Sequence, residues 1–266
     1  MSRKEELDDL INETEPLSLK EWLADIFKTI VPGILFIFFI RSSIAEPFRI
    51  PSGSMVPTLE IGDHILVTKY TYGFKIPFTR IPFGKMSVPD RGDVIVFVYP
   101  PSEKNPDDSY TLDLPFPPFS TLDYVKRVVG LPGDKIKVIS NTVYINGKPQ
   151  RKEDKEAYTF IDDRCNHYRT RLHSESLEGN HHLILTNDET FRRTALDYSK
   201  ETVVPDDHVF VMGDNRDHSA DSRVWGFVPI QNIKGKAQWV WLSYDQCTPG
   251  IPLLGDIRSR FGVRIQ

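Results

Sequence analysis

At 266 residues, 39% hydrophobic and 26% charged, the chain has a globular composition and length for one large domain or two modest ones. A mean hydropathy of -0.33 leaves room for one membrane segment and excludes a polytopic bundle. The formal net charge of -4 provides no basic surface to neutralise phosphates, which excludes a non-specific nucleic-acid binder.

Residues 1–21 are rich in Glu, Asp and Lys without periodicity and read as a polar, solvated tail. The composition changes at Trp22. Residues 30–40 read IVPGILFIFFI, and residues 22–45 together reach the length of one transmembrane helix. A buried core helix is the other reading of so short an uninterrupted apolar run. Asp25 and Lys28 suit one interface and Arg41 the other, while Pro32 and Gly33 allow a kink. A cleaved leader fits less well, because no short basic region precedes the apolar run and no A-x-A-like site follows it. Arg3, Lys4, Lys20 and Lys28 before the run, against Arg41 and Arg49 after it, favour a cytoplasmic N-terminus.

Beyond Pro47 the chain reads as β. Runs rich in Val, Ile, Tyr and Phe recur between turn signals at 64–69, 93–99, 124–129, 135–139, 143–145, 208–212 and 237–242. This pattern predicts a mainly β architecture: an antiparallel β-sheet domain, partly barrel-like, over 46–148 and 201–266, after the helix. Asn146-Gly147 is the clearest hairpin signal. Residues 149–200 are more polar and read as a smaller, inserted, β-containing domain. The Pro-rich stretch 100–120 reads as a long exposed loop or extended hairpin. The two cysteines, Cys165 and Cys247, lie outside any CxxC spacing, which removes zinc-ligand and thioredoxin-like patterns. They are either one disulfide or two free thiols. No cofactor or metal is expected.

Residues 50–59, IPSGSMVPTL, place Ser52 and Ser54 in a loop constrained by Pro51, Gly53 and Pro57. Gly53 allows backbone to approach a substrate carbonyl, and the prolines reduce the entropy lost in fixing the loop. Such a loop can preorganise a hydroxyl for attack, although an ordinary turn has the same composition. A serine hydroxyl needs a positioned base. Of the seven histidines only His218 is suitably placed.

Residues 123–134, DYVKRVVGLPGD, offer Lys126 in an apolar strand, with Tyr124 and Val128 on its face and Val125 and Arg127 on the other. A lysine there is either a solvated strand residue or a buried amine. To act as a base near pH 7 its pKa must fall by about two to three units from about 10.4, a cost of about 3–4 kcal/mol met by desolvation. Residues 212–229 are too polar for core and too punctuated by Gly and aromatics for a tail. Asp214, Arg216, Asp217, Asp221 and Arg223 can stiffen such a loop by charge-assisted pairing.

In this order, after an apolar helix, PSGSMVPTL, DYVKRVVGLPGD and GDNRDHSADSRVWGFVP resemble the nucleophile, general-base and structural boxes of bacterial signal peptidase I, or leader peptidase. GDHILVTK and RGDVIVF resemble the strand segment between the first two. The likeness covers roughly residues 35–100, 123–148 and 205–245. It implies that Ser54 attacks the scissile carbonyl and Lys126 takes its proton. Ser219 would orient the Lys126 amine, and Ser52 would donate to the oxyanion beside the Ser54 N–H. Asp221 and Arg223 would form a supporting ion pair, and Tyr124 would desolvate the lysine stem.

Ile50, Met55, Leu59 and Val125 resemble residues lining shallow pockets for small side chains at the first and third positions before the cut. The implied partners are secretory preproteins and the lipid bilayer, with cleavage at the outer face of the bacterial cytoplasmic membrane. Trp239, Trp241 and the aromatics of 72–83 suit contact with that bilayer, or ordinary packing. One residue departs from the pattern: His218 stands where the family commonly has Asn, which keeps a histidine base in view. Two rival readings remain, a Ser/Lys protease specialised for one export or pilus system and a non-catalytic, membrane-anchored β module.

Overall fold

The computed structural model describes residues 18–77, 79, 81–99, 122–187, 198–245, 247, 256–257 and 259–265. Most of the polar tail and the whole of 100–120 lie outside them. The chain divides into two compact units, Met1–Arg41 and Ser42–Gln266.

The first unit holds all but the last two residues of α1, Leu19–Ser43, a helix of 25 residues with no buried side chain. Ser18 and Glu21 start it as a reciprocal capping box: Glu21 N donates to Ser18 Oγ at 3.3 Å and Ser18 N to Glu21 Oε2 at 3.0 Å. Its apolar window has a mean hydropathy of 2.1. At about 1.5 Å per residue it exceeds the roughly 30 Å of a bilayer's hydrocarbon core.

The second unit is β. Its main strands are β1 (Ala45–Arg49), β2 (Asp63–Thr68), β3 (Val94–Val98), β4 (Asp123–Gly130), β5 (Lys135–Ile139) and β6 (Thr142–Ile145), followed by β7 (Arg151–Ile161), β8 (His167–Leu177), β9 (Asn180–Asn187), β10 (Tyr198–Val203), β11 (His208–Met212) and β12 (Ile233–Asp245). A nine-stranded sheet runs β1-β2-β12-β3-β4-β11 and ends on Val228–Pro229, with Asp256–Ile257 and Val263–Arg264 also paired to β12, and its neighbours pair antiparallel. Central β3 is buried along its whole length because both its faces are covered. Val94 and Val96 join Ile65, Val67 and Val240 on one side. Ile95 and Phe97 join Val128, Val209 and Val211 on the other. Two registers set up the site: Lys126 lies opposite Ile95, and Met212 opposite Arg127. The second delivers the polar segment after β11 to the lysine strand.

β10, β5 and β6 form a second sheet with Lys148–Pro149. Its hairpin turns at Asn146 and Gly147, with φ of 51° and 80°, the left-handed pair that a two-residue turn requires and Asn-Gly supplies. β7, β8 and β9 form a third, antiparallel sheet within the polar stretch. Most of β7 is exposed, but Phe160, with Leu172 and Leu185, packs against Val56 and Ile61 of the loop after β1.

Cys165, in the β7–β8 turn, is disulfide-bonded to Cys247, just past β12 and 82 residues away. Closing so long a loop restricts the unfolded chain. Replacing both cysteines with serine is therefore expected to lower the unfolding free energy by about 2–4 kcal/mol in a urea titration.

Candidate active site

Residues 50–59 leave β1 as a loop anchored at its base, where Ile50 N bonds Asp63 O and Gly62 N bonds Ile50 O. Its 3-10 turn, Gly53–Met55, is held from the far side by Asn215, whose N–H donates to Ser54 O at 3.1 Å and whose Nδ2 donates to Gly53 O at 3.1 Å. Two glycines permit this closeness. A Cβ at Gly53 would lie 2.3 Å from the Phe160 ring, and one at Gly213 would lie 2.5 Å from Ser54 O and 2.2 Å from Ser219 Oγ.

Lys126 reaches this turn from β4. Its Nζ is hydrogen-bonded to Ser54 Oγ at 2.7 Å and to Val125 O at 2.9 Å. The residue is 3% exposed, and Nζ lies 5.7 Å from the centre of the Tyr124 ring. Burial lowers its pKa to about 8, against the pull of the Asp221 and Asp214 carboxylates. The neutral amine is thus accessible near physiological pH. If it is the base, kcat/KM is expected to rise about tenfold per pH unit up to pH 8 and to level above it. A stopped assay across pH 6–10 (about one point per half unit) would read this limb.

Ser52 Oγ stands 3.5 Å from Ser54 Oγ. Ser219 is buried, and its Oγ has no hydrogen-bond partner among the described residues. Ile50, Met55, Tyr124 and Val125 line the cleft beside Ser54 and Lys126. Leu59 is fully buried in the core and is not among the lining residues.

Behind the cleft, three arginines are each matched by a carboxylate. Arg127 grips Asp214 through two bonds of 2.8 and 2.7 Å. Arg223 grips Asp221 through two of 2.8 Å, and Arg216 bonds both oxygens of Glu175. Asp221 also accepts the Gly213 N–H at 3.0 Å. Burial pushes the Asp214 and Asp221 carboxyls up, but their arginines hold both below the usual carboxylate range. His218 Nε2 is bonded to Asn187 Oδ1 at 2.9 Å. The side chain bonded to Ser54 Oγ is that of Lys126, not His218.

The family model described as signal peptidase, peptidase S26, matches residues 23–242. The chain belongs to this family. It is 36% identical over 250 residues to a signal peptidase I of Buchnera aphidicola subsp. Schizaphis graminum, covering 82% of this chain and 74% of that one. A signal peptidase I of Pseudomonas aeruginosa is 36% identical over 252 residues, covering 88% and 79%. One from Aquifex aeolicus is 34% identical over 238 residues, covering 79% and 80%. The chain is accordingly a hydrolase, a serine peptidase of the signal peptidase I type.

Several residues that shape the site gave no sequence signal of that role. Glu175 and Phe160 sit in the polar stretch 149–200, away from every motif. Asn215 and Gly213 are visible as part of a polar box, but their grip on Ser54 depends on register across strands far apart in sequence.

Proposed function

We propose that this peptidase is membrane-anchored and removes N-terminal signal peptides from exported preproteins, with Ser54 as nucleophile and Lys126 as general base. The observation that carries the reading is the 2.7 Å contact between Ser54 Oγ and a buried amine whose pKa is lowered to about 8. The Lys126 amine takes the Ser54 proton as Oγ attacks the scissile carbonyl. The tetrahedral oxyanion is met by the Ser54 N–H and the Ser52 hydroxyl. Lys126 then gives its proton to the leaving amine, leaving an acyl-enzyme, and activates the water that releases it. The otherwise unpaired Ser219 hydroxyl is available to orient the amine, and the Asp221–Arg223 pair stiffens the loop that carries Ser219.

Selectivity for small side chains before the cut is steric. Ile50, Met55 and Val125 give apolar walls that reject bulk without recognising polar groups. The helix α1 supplies the anchor, and the half-exposed Trp239 and Trp241 suit a membrane interface. The Cys165–Cys247 bridge favours an oxidising compartment, and with it an extracytoplasmic catalytic unit.

The test is a panel of preproteins presented to the full chain in detergent. Cleavage of many substrates after Ala-X-Ala is expected, with a bulky residue at the first or third position before the cut costing about 10–200-fold in kcat/KM. Acceptance of a single substrate would instead favour a specialised export or pilus protease. Binding without cleavage would favour a non-catalytic module.

A further inference from the structure

The cleft around Ser54 has two unlike walls. Residues 48–51 and 122–125 form one, from apolar side chains together with Arg49 and Asp123. The other is a cluster of three rings: Phe160 on β7, Tyr168 on β8, and His218 in the turn after β11. Phe160 and Tyr168 stack at 5.7 Å with 24° between planes. His218 touches both, at 5.4 Å from Phe160 and 5.1 Å from Tyr168.

Phe160 is buried and abuts Gly53, so the cluster begins one residue from the nucleophile. Tyr168 is 36% exposed and His218 partly so, which leaves ring surface open to the cleft. The wall is also fixed in place. The Tyr168 hydroxyl donates to Asp162 Oδ2 at 3.1 Å, and Asp162 further accepts from the backbone N–H groups of Arg164 and Asn166. The disulfide ties the same turn to the end of β12.

We infer that Phe160, Tyr168 and His218 form a subsite for the first residues of the mature chain, one that favours an aromatic side chain. The inference rests on the Ser54/Lys126 reading, which fixes where the scissile carbonyl sits. With the residues before the cut lying along 48–51 and 122–125, those after it pass Ser54 onto the rings. A rigid, half-open aromatic shelf rewards a flat apolar ring through stacking and edge contacts. Asp162, whose carboxylate is bonded by its own turn, and the exposed Asp163 also line this side of the cleft, so a Lys peptide separates selection by the rings from selection by these charges.

The experiment uses the full chain in detergent and peptides that differ only at the two positions after the cut, carrying Ala, Phe or Lys. Phe at one of these positions is expected to raise kcat/KM about threefold to tenfold over Ala. In Tyr168→Ala and in His218→Ala the Phe/Ala ratio should fall towards one, and in Tyr168→Phe it should persist. Thermal melts identify any variant that fails to fold, and Tyr168→Phe then carries the comparison with wild type. A wild-type ratio of one, a preference for Lys, or a Phe preference untouched by the Ala variants overturns the subsite. Failure of the wild type to cut any of the peptides overturns the Ser/Lys reading, and this inference with it.

Discussion

Lys126→Met is expected to lower kcat/KM on a signal-peptide substrate by about 10⁴-fold, and Ser54→Ala by a similar factor, because members of a nucleophile–base pair act as a unit. The lysine variant should also be more stable at neutral pH. The folded-state pKa of Lys126, about 8, lies below its ordinary 10.5. Below pH 8 the group is protonated in both states and the full desolvation penalty, about 3 kcal/mol, weighs on the native state. Between about 8 and 10.5 the unfolded chain binds more protons, so stability rises with pH and the penalty disappears. Methionine keeps the packing and removes the charge, so its stabilising effect, about 1–3 kcal/mol below pH 8, should fade in alkali. Urea titrations at two pH values read this directly. Retained cleavage in Lys126→Met sinks the dyad, and so does loss of cleavage in His218→Ala with Lys126→Met intact. A less stable Lys126→Met at neutral pH sinks the account of a desolvated amine.

The sequence was most informative where local pattern and chemistry coincide. Strands 135–139 and 208–212 were legible to the residue, and 124–129 to within one residue at each end, because β-branched apolar runs and turn residues such as Gly133, Ser140-Asn141, Pro205 and Gly213 bound them. The Asn146-Gly147 hairpin was legible because its turn demands left-handed residues. β7, β8 and β9 were not. β7 is largely solvated, so Arg151–Ile161 carries polar residues at nearly every position and shows no alternation, while β8 and β9 bury polar side chains such as Thr170, His173, Glu175 and His182. β1 was hidden by its shortness and by Pro47 within it. At the site, Ser54 and Lys126 stood out in motifs, but their 2.7 Å contact depends on non-local pairing. The cysteine pairing was equally illegible, since 82 residues of intervening chain set no distance.

The polar box invites the second large effect. Asp214→Ala is expected to cost about 3–5 kcal/mol, because it strands Arg127, which is 1% exposed, without its carboxylate. Thr58 Oγ1 loses its acceptor at the same time. The loss should be largest at neutral pH. Asp214 is held below the usual carboxylate range in the folded state, so it contributes stability above its unfolded pKa and loses it as pH falls through the folded value. The wild type and Asp214→Ala should therefore converge in acid. The damage should also reach Ser54, since the next residue, Asn215, holds the Gly53–Met55 turn through two hydrogen bonds. A double variant separates charge from packing. Arg127→Met with Asp214→Leu removes both charges and fills the space, and apolar replacement of a buried pair is often neutral or stabilising. It should recover most of the stability lost in Asp214→Ala. Equal destabilisation of the two variants would overturn the stranded Arg127 charge as the cause of the loss in Asp214→Ala.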